Sequence, residues 1–439
     1  MSRWQFIAEA QERAQQIAAQ VELKFQSSNL RQPDALRRAA RRLRRGGSWR
    51  HGLTHLCVCV ALFCAWSTPR PPVSATQPTH VAPVADDAQL DALLQQAATD
   101  ALGARDGAIL VLDPQTGRVR AAVNARLAGE QAFPPGSAIK PFTLLTALRA
   151  GAITDESRLL CRKRYERADA HFTCSHPASL PPFKPAQALA YSCNYFFARL
   201  AERLRQDDLN ATLAAYGFGA HTGLADEFEQ AGKLPRGRWQ LSEALGEGDD
   251  LLVTPMQLGT AYAALLNGGH LYAPQQAAAE NFQPHERAML ALAPAERALL
   301  IEGLRGVVAY GTAERAHLAA LPLNIIGKTG TATEVGGVHT HGWFVGLASD
   351  LARTTDDATQ KKEPAPDAFK LTVLVFLKRA TGVQSATLAQ SIFAAYARAT
   401  VTVADNGPHS AEAAVGEQAD YDFSTGALSP EPTDDSSTS

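Results

Sequence analysis

Residues 4–25 (WQFIAEAQERAQQIAAQVELKF) set Phe6, Ile7, Ala10, Ala14, Ile17 and Val21 near helical spacing, which predicts a modest amphipathic helix. Leu53–Trp66 (LTHLCVCVALFCAW) is a compact apolar run without charge, and residues 67–88 are rich in Pro, Thr, Val and Ala, the composition of an extended linker. From residue 89 the pattern is that of a globular domain. QLDALLQQAATDALGA reads as a helix. GAILVLD and RVRAAVN flank Pro114-Gln115-Thr116-Gly117, with Pro and Gly where a tight hairpin turn needs them. Residues 137–320 alternate helical patterns with Gly/Pro loops. NIIGKTGTAT, GWFVGLAS and KLTVLVFLK then read as strands, and TLAQSIFAAYARAT as a closing helix. Sheet, helices and sheet again predict an α+β layered fold whose sheet joins both ends of the domain. Residues 401–439 lack apolar periodicity and read as a disordered acidic tail.

Composition sharpens the picture mainly through its distribution. The 439 residues are 46% hydrophobic and 20% charged, with a net charge of −2, which implies no nucleic-acid partner for the whole chain. Residues 1–52, however, hold eleven Lys/Arg against four acids, eight of the basic residues being arginines between Arg31 and Arg50, and residues 401–439 hold eight acids and no base. A basic segment ahead of a short apolar run is the pattern of a secretory signal or a short membrane anchor at residues 53–66. Fourteen helical residues reach only about 21 Å, short of a ~30 Å hydrocarbon core. Val73-Ser74-Ala75 offers a cleavage site, whereas the long basic segment favours an uncleaved anchor. Either way the arginines stay inside and the rest of the chain is exported. Six cysteines are too few for a disulfide scaffold, and Cys57, Cys59 and Cys64 read as small hydrophobes of the apolar run.

Three stretches could carry chemistry. In Phe133-Pro134-Pro135-Gly136-Ser137-Ala138-Ile139-Lys140-Pro141 a helix must begin near Ser137, because Pro141 is tolerated only in a first turn. Ser137 and Lys140 then share a face at the helix N-terminus, where free N–H groups favour an alkoxide or oxyanion. A lone S-x-x-K is more often a capping serine with a solvated lysine. Ser192-Cys193-Asn194 is by itself an unremarkable helix start, with Ser192 or Asn194 as its cap. Gly327-Lys328-Thr329-Gly330-Thr331 is a strand whose missing side chains would let a substrate backbone lie against it, or simply a glycine-rich edge strand.

In this order the three are far more specific than apart, since S-x-x-K, S-D-N and K-T-G together mark penicillin-binding proteins and class A β-lactamases. Residues 89–400 resemble the transpeptidase domain of penicillin-binding proteins, through FPPGSAIKPF, ALAYSCNYFF, LGEGDDLLVTPMQLGTAYAALLNGG, and GKTGTAT followed by HGWFVGLA. Glu247 stands where that family's pattern has Gln, and Cys193 replaces the Asp of S-D-N. The resemblance implies an antiparallel sheet flanked by helices with an all-helical subdomain, and a serine acyl transferase acting without cofactor or metal on stem peptides ending in D-Ala-D-Ala. It assigns Ser137 as nucleophile, Lys140 as its base, Ser192 as proton relay and Asn194 as the amide that orients the lysine. Lys328 with Thr329, Gly330 and Thr331 would hold the substrate carboxylate. The backbone N–H groups of Ser137 and Thr331 would form the oxyanion hole, and β-lactams would acylate the same serine.

Export also bears on Cys161 and Cys174, which close a short loop. A disulfide there, worth about 3 kcal/mol in the chain-entropy model, is favoured over a zinc site of Cys161, His171, Cys174 and His176, whose spacing fits no standard zinc motif. His339 and His341 read as a turn between strands. A serine β-lactamase, a D,D-carboxypeptidase and a β-lactam sensor of the same fold are the competing readings. The sequence has no room for a glycan-polymerising domain between the apolar run and the globular part, so a crosslinking enzyme of this layout would take its strands from a partner polymerase in the cell envelope.

Overall fold

A computed structural model describes residues 85–405 apart from 168–169, 225–226, 277–281, 335 and 350–363. The expected helix at 4–25, the basic segment, the 53–66 run, most of the linker and the tail beyond residue 405 lie outside the described residues. Among the described residues no helix is long and apolar enough to cross a membrane.

Helix α1 (Ala85–Leu102) starts inside the expected linker. The hairpin β1 (Gly107–Leu112) and β2 (Val119–Val123) follows. Its turn closes as the sequence predicts: Asp113 Oδ1 accepts from Gln115 N at 2.8 Å, and Gly117 supplies a φ of 78°. Short α2 (Ala125–Glu130) leads to the Gly136–Ile139 3-10 turn and α3 (Lys140–Arg149). A small hairpin, β3 (Arg164–Arg167) and β4 (Ala170–Thr173), precedes α4 (Pro185–Ala190), α5 (Asn194–Ala201) and α6 (Gln206–Ala215). Next come α7 (Pro255–Leu266), a second small hairpin, β5 (His270–Tyr272) and β6 (Glu286–Met289), and α8 (Pro294–Ala309). The chain returns through β7 (Asn324–Thr333), β8 (Thr340–Ser349), β9 (Phe369–Leu377) and α9 (Gly382–Asp405), which runs past the expected stop at Thr400.

The main sheet is antiparallel throughout, in the order β2-β1-β9-β8-β7, so its first and last strands meet at its centre. β1 reads as an unbroken apolar run, and β9 as one from Val373 to Leu377 after the exposed Lys370 and the buried Thr372, because both faces are covered there. Leu110, Val345, Leu374 and Phe376 face the helical subdomain, whereas Ile109, Phe344, Val373 and Val375 face the layer formed by α1 and α9. Alternate residues of one strand thus feed two cores, as the two-residue period of a strand requires. α7 is buried along its whole length, consistent with a helix apolar all round. It is capped by Thr254, whose Oγ1 accepts from Gln257 N at 3.0 Å while Gln257 Oε1 accepts from Thr254 N at 3.0 Å. His341 is not in a turn: it is a buried residue of β8, packed against Phe133 and Phe376.

Candidate active site

Ser137 sits half-buried in the 3-10 turn ahead of α3, and Lys140 is the first residue of that helix. The turn is pressed against β7. Gly136 has a φ of 54°, and a Cβ on it would lie 2.4 Å from the Thr331 carbonyl oxygen; one on Gly330 would lie 2.6 Å from the Pro135 carbonyl oxygen. Only hydrogen at both positions lets the nucleophile's backbone and the Lys328–Thr331 strand approach so closely. The turn is held from three further sides. Gly136 N donates to Gly246 O at 2.9 Å, Trp343 Nε1 to Pro134 O at 3.0 Å, and Tyr262 Oη to Ala138 O at 2.5 Å.

The second stretch meets the first through Lys140. Its Nζ donates to Ser192 O at 2.9 Å and Asn194 Oδ1 at 2.5 Å and lies 3.2 Å from Ser192 Oγ. Asn194 is oriented in turn by Nδ2 donating to Thr173 O at 2.9 Å. Ser192 has a φ of 50°, a left-handed conformation that non-glycine residues adopt at functional sites. The helix cap is neither Ser192 nor Asn194, as the sequence suggested, but Cys193, whose sulfur accepts from Phe196 N at 3.4 Å. Capping by the middle residue frees both neighbours to face the lysine.

The third stretch closes the constellation. Lys328 Nζ donates to Ser192 Oγ at 3.0 Å and to Thr329 O at 2.8 Å, so both lysines converge on one hydroxyl. Both ammonium groups are fully buried. Burial lowers Lys140 to about 8, opposed by the negative charge of Glu247. Burial and the neighbouring Lys140 charge push Lys328 well below the ordinary lysine range. Thr329 turns inward, its hydroxyl 2.5 Å from that of Thr312. Thr331 Oγ1 accepts from Gly382 N at 2.9 Å, which leaves its own O–H free to donate. Tyr262, Trp343 and Thr312 carry no signal in the sequence, because each acts from a distant element. Glu247 does carry one, as the departure from the expected Gln: its carboxylate accepts from Thr333 N on β7 at 3.4 Å, and burial raises it while Lys140 pulls it down.

The expected Cys161–Cys174 disulfide is absent. Both cysteines are free thiols, 3.7 Å apart, and Cys193 lies 3.8 Å from Cys174. His171 is exposed on β4, away from them, whereas His176 joins the three sulfurs.

Comparison with known proteins agrees with this geometry. A family model described as the penicillin-binding protein transpeptidase domain matches residues 107–356, more than half of the chain. The chain is 26% identical over 261 residues to peptidoglycan D,D-transpeptidase MrdA of Escherichia coli strain K12, a match covering 54% of this chain and 40% of that protein. It is 29% identical over 218 residues to stage V sporulation protein D of Bacillus subtilis strain 168, covering 46% and 33%. The crystal structure of Pseudomonas aeruginosa PBP2 superposes with a TM-score of 0.58 at 26% identity, covering 70% of this chain and 74% of that one. The chain thus spans less than half the length of the curated relatives it matches. On the extent of the family match, and with its three motifs brought to one groove, the chain belongs to the penicillin-binding protein transpeptidase domain family.

Proposed function

We propose that the chain is a serine-type D,D-transpeptidase that crosslinks peptidoglycan through an acyl-enzyme on Ser137. The observation that carries this reading is the convergence of Lys140 and Lys328 on Ser192 Oγ at 3.2 and 3.0 Å. The carbonyl oxygens of Ser192 and Asn194 can only accept, so they hold two hydrogens of Lys140 Nζ. In the neutral amine the remaining position is a lone pair, and a pKa near 8 makes that form accessible at neutral pH. Ser137 Oγ attacks the penultimate D-Ala carbonyl as Lys140 takes its proton. On this reading the tetrahedral oxyanion forms against the N–H groups of Ser137 and Thr331, an assignment supported by the close approach of Gly136 to the Thr331 backbone. Ser192, polarised by Lys328, passes the proton to the departing D-Ala amine. Lys328 and the free O–H of Thr331 face the substrate carboxylate; the Thr329 hydroxyl, engaged by Thr312, contributes less. An amine from a neighbouring stem peptide then takes the acyl group and Ser137 regains its proton. Water as acceptor gives the carboxypeptidase outcome, a branch favoured by the Glu247 carboxylate, which is held by Thr333 N of β7 and whose charge acts on Lys140.

This reading sets the enzyme at the cell envelope, tethered by residues 53–66 or released after their cleavage, with a glycan polymerase as partner and β-lactams as inhibitors. The test is incubation with a D-Ala-D-Ala pentapeptide and an amine acceptor, products read by mass spectrometry, alongside labelling by a fluorescent penicillin. Release of D-Ala with a new amide, and a label lost in Ser137→Ala, are expected. A folded protein with no Ser137-dependent adduct rules the reading out; an adduct without D-Ala release marks a β-lactam sensor, and rapid penicillin turnover a β-lactamase.

A further inference from the structure

The chemistry of acyl transfer fixes where the second peptide must enter. The departing D-Ala amine takes its proton from Ser192. An acceptor amine attacks the acyl-enzyme along the same line and returns a proton to Ser192, since the two half-reactions mirror each other. The new C–N bond forms, the ester bond to Ser137 Oγ breaks, and the proton passes back through Lys140 to Ser137. The arm that bears the acceptor amine therefore lies at the end of the groove where Ser192 and Lys328 meet.

Two segments bound that end, and each carries a tyrosine. One is Ala190-Tyr191, which leads into Ser192; the other is Tyr310-Gly311-Thr312, which follows α8. They are joined to each other and to β7. Thr312 N donates to Ala190 O at 3.3 Å, and the Thr312 hydroxyl lies 2.5 Å from that of Thr329, the neighbour of Lys328. A Cβ on Gly311 would lie 2.3 Å from Ala190 O, so only glycine lets the segments meet. The Tyr191 and Tyr310 rings pack at 5.5 Å between centroids and 51° between planes. Phe183 stacks on Tyr191 in turn, at 5.5 Å and 17°. Tyr310 is also seated on α8, because a Cβ on Gly306 would fall 2.6 Å from its Oη.

Tyr310 is nevertheless 42% exposed, next to a groove whose two lysines are fully buried. The exposed part of the ring adds nothing to the core, whereas a partner laid on it would remove apolar surface from water. A ring braced by Tyr191 and α8 has little freedom left to lose when it is covered, which makes it a preorganised contact. We propose that Tyr310, braced by Tyr191, is the acceptor-side specificity residue. Its ring takes the aliphatic arm that carries the amine of the second stem peptide, and so sets the balance between crosslinking and hydrolysis. Water and amines without such an arm gain nothing from it.

This assignment rests on the acyl-enzyme reading above. The test supplies the full chain with a D-Ala-D-Ala pentapeptide as donor and an amine-bearing stem peptide as acceptor, and mass spectrometry reads the ratio of amide to acid product. In Tyr310→Ala the ratio should fall about fivefold, the loss of one aromatic contact, through a higher acceptor KM with the saturating rate little changed. Tyr310→Phe keeps the ring and should keep the ratio. Hydroxylamine, an amine with no arm, should partition alike in the wild type and Tyr310→Ala; a merely structural role would lower both ratios together. Labelling of Ser137 by a fluorescent penicillin shows that a variant is folded. Should Tyr310→Ala fail to label, Tyr310→Gln, which fills the space over Gly306 with a polar group, takes its place under the same expectations. An unchanged ratio with the peptide acceptor, or an equal fall with hydroxylamine, overturns the assignment alone. A wild-type chain that forms no Ser137 adduct overturns the acyl-enzyme reading and the assignment with it, so the two failures stay distinguishable.

Discussion

At the scale of single residues the chemistry turns on the protonation of Lys140. Burial holds it near 8, below a solvated lysine, so the basic form grows as pH rises through that value. The rate of Ser137 acylation by a penicillin should therefore climb from acid toward pH 8 and level off above it, and a series of acylation rates across roughly pH 6 to 9 tests this. A flat profile would show that Lys140 is not the base. Glu247 enters with a definite sign. Its negative charge favours the protonated lysine, so Glu247→Gln should lower the Lys140 pKa and move the midpoint to lower pH. The substitution preserves shape and leaves Oε1 able to accept from Thr333 N, which separates the charge effect from loss of packing. Ser192→Ala removes the hydroxyl on which both lysines converge. It should slow acylation by about 10²–10⁴-fold while the protein still binds penicillin reversibly, as a stopped-flow separation of binding from acylation would reveal.

At the scale of elements the site is a contact between a turn and a strand. The three motifs were legible because each is contiguous and chemically loaded, and Pro141 alone requires a helix to begin near Ser137. Their supports were not legible. Tyr262 reaches Ala138 from α7, Trp343 reaches Pro134 from β8 and Thr312 pairs with Thr329; no local pattern marks a residue for a partner that far away. The cysteines were misread for a related reason. Loop length suggested Cys161 with Cys174, but Cys193 and His176 join them only once α5 packs beside the β3–β4 hairpin. The closeness of turn and strand is itself testable. In Gly330→Ala the new Cβ would fall 2.6 Å from Pro135 O and 2.9 Å from Ala138 N, backbone atoms that cannot rotate away. The nucleophile turn has to shift, and a displacement of about 1 Å costs on the order of 10²-fold in rate. Acylation should fall by about that factor with the circular dichroism spectrum unchanged; an unaltered rate would show that turn and strand are not tightly apposed.

At the scale of the whole molecule one sheet separates two cores with different tasks. The long runs of β8 and β9 revealed this sheet, and its closure by both ends of the domain followed from the order of elements. The short hairpins β3–β4 and β5–β6 escaped, because strands of three or four residues with little buried surface leave almost no periodicity. The end of α9 escaped because Val401-Thr402-Val403 is β-branched and suggests a stop, yet the helix continues to Asp405. The chemistry lies on the side of the helical subdomain, whereas α1 and α9 form the opposite layer. There α1 is pinned to β2 by charge: Arg120 Nη1 bonds Asp87 at 3.0 Å and Asp91 at 2.9 Å, and Arg118 bonds the same two carboxylates. Arg118 is only 6% exposed, so removing one of the two bridging carboxylates leaves buried positive charge poorly compensated. Asp87 and partial solvent access limit the damage, which sets the expected cost of Asp91→Ala at about 1–3 kcal/mol. Thermal unfolding should register this as a drop of several degrees, while Ser137 acylation at 25 °C stays unchanged because the groove on the far face keeps its contacts. A rate that fell together with the melting temperature would mean that the two cores are not independent, and that the sheet transmits the state of one face to the other.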